Sequence, residues 1–65
     1  MLKLKDIHIG SLVMDTSGIY EVTNVDRGHT SMPYTVREVI DGETETYGVE
    51  FSINRFDMKH KDLIG

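Results

Sequence analysis

The chain has no cysteine, no tryptophan and a single proline, Pro33. Without cysteine, no disulfide can supplement the core and no thiolate metal site can form. Long apolar runs are missing too. Nothing approaches the roughly 20 residues that cross a bilayer as a helix, and the opening MLKLKD lacks the apolar centre of a signal peptide. These absences predict a soluble, cytoplasmic protein with no membrane association. Basic residues are scarce: 7 Lys and Arg stand against 11 Asp and Glu, a net charge of −4. That balance disfavours a general nucleic-acid binder, which carries a basic surface. No segment sustains a helical apolar period, and no repeat, low-complexity tract or linker divides the 65 residues. The sequence therefore predicts one domain, 1–65, burying only about 60% of its unfolded surface and modestly stable.

What remains is two-residue alternation. Leu2 and Leu4 alternate with Lys3 and Lys5, which suits a short strand. Ser11–Met14 and Ile19–Val25 read as strands joined by the turn Asp15–Gly18, where Asp and Ser can bond the local backbone and Gly accepts positive φ. This turn predicts Met14 opposite Ile19 and Val13 opposite Tyr20. The loop 26–33 follows, closed by Pro33. Asp41-Gly42 lies between two alternating runs, a hairpin signal of the type I′ kind. A two-residue loop there pairs Tyr34 with Val49, Val36 with Tyr47 and Glu38 with Glu45, the last a like-charge pair. Ser52–Phe56 breaks the alternation and reads as one helical turn; Asp57–Ile64 reads as a final strand by alternation, with a frayed helix as the alternative. The fold class is all-β: a small five-stranded antiparallel barrel, its edges hidden by closure. Gly48 inside the fourth strand marks a bend. The expected core is Leu4, Ile9, Val13, Tyr20, Val22, Tyr34, Val36, Tyr47, Val49, Phe51 and Leu63.

The stretch Ile9–Val22 (IGSLVMDTSGIYEV) resembles the opening of small SH3-like barrels, the group that includes KOW and Tudor domains. Those often begin with a Gly-x-x-Val strand, a short polar turn with Gly and a second strand of alternating aliphatics. The Pro33 loop, the hairpin, the helical turn before the last strand and the total length fit as well. The resemblance is architectural and spans nearly the whole chain. It implies an SH3-like five-stranded barrel. Asp15, Glu21 and Asp26 occupy the first hairpin region, where nucleic-acid-binding KOW domains carry basic residues.

Nothing in the chain reads as catalytic. His8, His29 and His60 lack metal-ligand spacing. In a strand, Asp57 would point away from His60 and Asp62. Ser31 and His29 share a loop, but nothing there orients the imidazole. Glu38 and Glu45 would lie near an exposed ribbon end, screened by water. The expectation is a protein that is not an enzyme, with no cofactor and no metal.

The charge distribution carries the functional reading. From Arg37 to Glu50 there are five acids against one arginine. Glu38, Asp41, Glu43, Glu45 and Glu50 would form an acidic ribbon that steers the chain to a basic protein partner. Met32, Phe56 and Met58 would reach the surface and supply apolar docking contacts. An accessory protein of a phage or mobile element, modulating a host protein, is the concrete version. The alternative is a nucleic-acid-binding adaptor using Lys3, Lys5, Arg55, Lys59, His60 and Lys61, if the two termini lie together. A third expectation is homo-oligomerisation through an uncovered edge strand at Leu2–Leu4.

Overall fold

Asp15 makes the first hairpin as tight as the sequence suggests. Strands β1 (Leu12–Asp15) and β2 (Gly18–Val25) pair antiparallel, with Val13 opposite Tyr20 and Met14 opposite Ile19. The Asp15 Oδ1 accepts the amides of Ser17 at 2.7 Å and Gly18 at 3.2 Å, an Asx-type closure of the turn. Gly18 has φ of +152°, and a Cβ there would stand 3.0 Å from Glu38 Oε2. Both backbone and space therefore favour glycine. These features belong to a computed structural model that describes residues 2–28, 31–41 and 46–65.

Strand β3 (Tyr34–Asp41) lies beside β2 and serves as the trunk of the sheet. Val22 faces Val36, and Tyr20 faces Glu38; a bulge at Thr23 shifts the register before Val25 meets Tyr34. The far edge of β3 takes two short strands in succession, β4 (Thr46–Tyr47) and β5 (Phe51–Ile53). Helix α1 (Arg55–Lys59) follows, and strand β6 (Asp62–Leu63) returns to pair with β1. The order is β4-β3-β2-β1-β6, with β5 also on β3. Counting β4 and β5 as one interrupted strand gives five antiparallel positions with a helical turn before the last. The class is all-β, as alternation predicts. The sheet is open: among the described residues, β6 does not pair with β4 or β5, so the expected closure into a barrel does not occur.

The second hairpin departs from the expected register. Val39 meets Tyr47 and Asp41 meets Thr46, with an irregularity between them. Strand pairing therefore runs on to Asp41, and the connection spans residues 42–45, which lie outside those described. Further along, Val36 faces Phe51 and Tyr34 faces Ile53, rather than Tyr47 and Val49. Burial explains the choice. This register brings Ile53 into the core and leaves Val49, in the break between β4 and β5, 89% exposed. Gly48 donates its amide to the Glu38 carbonyl at 2.9 Å, so the neighbour of Glu38 on that edge is glycine. The expected pairing of Glu38 with Glu45 falls on a residue outside those described.

The core is Ile7, Val13, Tyr20, Val22, Tyr34, Val36, Ile53 and Met58. Five of these follow from alternation along β1, β2 and β3. Ile9, Phe51 and Leu63, expected inside, are exposed, and Leu4 is half-buried. Ile7 and Met58 enter the core instead because helical turns carry them. Leu4–Asp6 forms a 3-10 turn, not the expected strand, and it contacts α1. The anticipated Leu2–Leu4 edge for strand-mediated self-association is therefore absent. Asn54 caps α1, its side chain accepting the Asp57 amide at 2.7 Å. Asp57 in the first turn and Lys59 in the last suit the helix dipole. The cap places the helix three residues later than the break in alternation implies, and turns Met58 inward.

Replacing Met58 with alanine should lower unfolding free energy by about 2–5 kcal/mol, the usual cost of emptying a core site. Val49→Ala should change it by less than about 0.5 kcal/mol. Urea unfolding of both variants checks the register; equal effects would overturn it.

Candidate binding cleft

An open cleft lies where the first turn, the β5 edge and the end of α1 converge. Met14, Tyr20, Phe51 and Ile53 line its apolar part; Asp15, Thr16, Asp57, His60, Lys61 and Asp62 form its polar rim. Each arrives for a local reason. Tyr20 is on the inward-facing side of β2, two residues after Gly18. Phe51 opens β5 and sets its ring edge-on to Tyr20, with centroids 5.9 Å apart and planes at 86°. That arrangement matches the quadrupole preference of aromatic pairs. Phe51 remains 45% exposed, so part of the residue is open to a ligand. The C-terminal end of α1 brings His60 and Lys61 to the opposite wall.

Lys61 and Asp15 join the walls. The Lys61 ammonium bonds Asp15 Oδ2 and lies 4.9 Å from the centroid of the Tyr20 ring. Side-chain exposure is 11% for Lys61 and 25% for Asp15, so the pair is partly shielded from screening. The Asp15 carboxyl titrates below its ordinary value. The hydrogen bond from Lys61 is the main cause; partial desolvation opposes it, and the amides of Ser17 and Gly18 reinforce it.

The acidic ribbon and its supposed apolar partners do not form one patch. Strand β3 separates them: Met32 and Pro33 precede its start, whereas Asp41 ends it, roughly 25 Å away at ~3.3 Å per residue. Glu38 is half-buried on the inward side, facing Tyr20 across β2, and Glu50 is exposed in the break before β5. Glu43 and Glu45 lie outside the described residues. Met32 is 41% exposed and Phe56 63% exposed. Met58, expected at the surface, is fully buried and cannot touch a partner.

Of the basic residues named from sequence, Lys3, Lys5, Arg55 and Lys59 lie on the 3-10 turn and α1, which are tied together by Arg27, a residue that sequence reasoning missed. Arg27 Nη1 donates to the Leu4 carbonyl at 3.1 Å and Nη2 to the Ile7 carbonyl, while Arg55 Nη2 donates to the Arg27 carbonyl at 2.9 Å. Arg27 thus staples the 3-10 turn to the loop after β2, and Arg55 adds α1. Phe56 stands 4.4 Å from the His60 ring and under the Lys59 ammonium at 5.7 Å. Lys61 is turned away to Asp15.

Among the described residues no three His, Asp or Glu side chains come together as a metal site. Also among these, no helix is long and apolar enough to cross a membrane. Comparison of the chain with protein-family models, with curated proteins and with solved structures found no match.

Asp15→Asn keeps the acceptor for the turn amides and removes the charge facing Lys61. Near neutral pH it should cost about 1 kcal/mol. Because the folded-state pKa is depressed from 3.8, wild-type Asp15 contributes fully above that value. Its contribution fades as pH falls through the lowered folded value. The gap between wild type and variant in urea unfolding should therefore close in strong acid. A gap that persists there would remove the ion pair as its source.

Proposed function

We propose that the chain is a non-catalytic binding module for a protein partner with a basic surface. The observation that carries this reading is the half-exposed Phe51 ring, fixed against Tyr20 in an open cleft whose rim holds three carboxylates, Asp15, Asp57 and Asp62. Aromatic anchors in a concave site dominate interface energetics, and rim charges of one sign set partner preference and association rate. Glu38, Asp41 and Glu50, with Glu43 and Glu45 in sequence, add negative charge along β3 and its neighbouring edge and extend the steering field. The five antiparallel positions and the helical turn before the last strand support kinship with SH3-like small barrels of the KOW and Tudor kind. The cysteine-free composition supports a cytoplasmic setting.

A second reading rests on the cations of the 3-10 turn, of Arg27 and of α1. Lys59 stands over an exposed Phe56, and Arg27 and Arg55 tie α1 to the turn that carries Lys3 and Lys5, a combination of cations and a stacking ring of the kind used for single-stranded nucleic acid. The interleaved Asp6, Asp26 and Asp57 weaken it, so it stands second.

Phe51→Ala should reduce recovery of a basic partner from the native cell at least about tenfold, a hot-spot loss of ~1.4 kcal/mol or more. Raising salt should weaken wild-type capture. A partner set that ignores both changes would overturn the cleft reading. Fluorescence-labelled single-stranded oligonucleotides, titrated at low and moderate salt, test the second reading. Salt-sensitive binding lost in Phe56→Ala supports it, and no binding at low salt removes it.

A further inference from the structure

Lys61 is seated where a lysine rarely sits. Long cationic side chains ordinarily keep the charged head in water, yet this one is only 11% exposed. Its ammonium rests between the face of Tyr20 and the carboxylate of Asp15. A π face and a carboxylate are the two groups that best stabilise a partly desolvated cation. The cradle is part of the cleft, and Asp57 and Asp62 stand on the same rim. The cleft is thus lined by three acidic residues and one lysine, and its formal charge stays negative with Lys61 in place.

We propose that this cradle is a subsite for an arginine side chain of the protein partner, and that Lys61 fills it in the free chain as a built-in competitor. The proposal rests on the cleft reading above and specifies its ligand. Lys61 can leave by rotating its own side chain, because the backbone bond of its amide to the Met58 carbonyl does not involve the ammonium. A tethered ammonium has a high effective concentration, so a lone lysine cannot displace it. An incoming side chain must gain more than it replaces. Arginine can do so, since its planar group stacks on the ring and can bond a carboxylate through two N–H groups. Apolar neighbours in the partner segment would add contact with the exposed part of Phe51. The arrangement selects basic segments with adjoining apolar residues over isolated cations.

The test uses the intact chain and a capped five-residue peptide with one arginine between two leucines. A control peptide carries citrulline in place of arginine. In the free protein the Lys61 ε-CH2 protons should be shifted upfield by the Tyr20 ring. Saturating arginine peptide should return them to ordinary lysine positions; the citrulline peptide should not. Lys61→Met, which keeps the aliphatic stem, should bind the arginine peptide roughly tenfold more tightly by removing the internal competitor. Adding Asp15→Asn to that variant should abolish the gain. The wild-type proton shifts require no variant to fold. Peptide that perturbs Phe51 while the Lys61 protons stay shifted would overturn the competitor and leave the cleft reading standing. Absence of any response at Phe51 or Tyr20 to either peptide would sink both.

Discussion

The Asp15 carboxylate is the junction on which the rest of the molecule depends. One oxygen closes the first turn by accepting the Ser17 and Gly18 amides. The other holds Lys61, which stands between α1 and β6. Strand β6 is only Asp62–Leu63, paired to β1 and extended by bonds between Leu12, Ile64 and Gly65. Two residues of pairing hold a strand weakly. An ion pair shielded by the Tyr20 ring supplies an anchor beside it, and α1 in turn delivers Met58 to the core. The same carboxylate therefore ties a local turn, the C-terminal segment and the wall of the cleft together.

A domain this small cannot enclose a deep cavity, and its cleft is assembled from edges. The inward faces of β1, β2 and β3 use their apolar residues on one another. What is left for a ligand is the margin: Phe51 at the start of a three-residue strand, Tyr20 beside a turn, and side chains at the end of a five-residue helix. The margin is where charge also collects, because carboxylates and ammonium groups remain partly hydrated there. An aromatic floor with a charged rim follows from the shortage of core. Recognition of a surface segment suits such a site better than chemistry that needs exclusion of water.

Local rules in the sequence were enough for β1, β2 and β3. Alternation and the Asp15–Gly18 turn gave the pairings of Val13 with Tyr20 and Met14 with Ile19, and five of the eight core residues. They failed where a nonlocal preference decided. Asp41-Gly42 has the composition of a tight turn, yet the register that buries Ile53 opposite Tyr34 wins over the one that pairs Val36 with Tyr47. The gain from burying isoleucine outweighs a favourable turn dipeptide. Leu2 and Leu4 alternate like a strand, but a 3-10 turn there sets Ile7 into the core. Asn54 followed by Asp57 was a legible cap signal, and it locates α1 better than the loss of alternation does. The cleft itself was not legible. Its residues come from the first turn, β2, β5 and the end of α1, and no spacing in the sequence records their meeting.

Net charge is a poor guide to the field a partner meets. Asp41 ends β3, and Glu38 and Glu50 lie along its middle and its neighbouring edge, whereas the cations stapled by Arg27 and Arg55 lie beyond its start. Asp41 is separated from the start of β3 by roughly 25 Å of strand and Glu38 by roughly 13 Å at ~3.3 Å per residue, both more than the ~8 Å over which physiological salt screens exposed charge. Each set of charges therefore presents its own potential, and the −4 of the whole chain describes neither. On the proposed reading, a basic segment approaching the acidic edge of β3 would feel attraction until it reached the cleft, where short-range contact with Phe51 and competition with Lys61 would take over. Approach and docking would then be governed by different residues. A charge change at Glu50 would alter how often partners arrive, and a change at Phe51 or Lys61 would alter how long they stay.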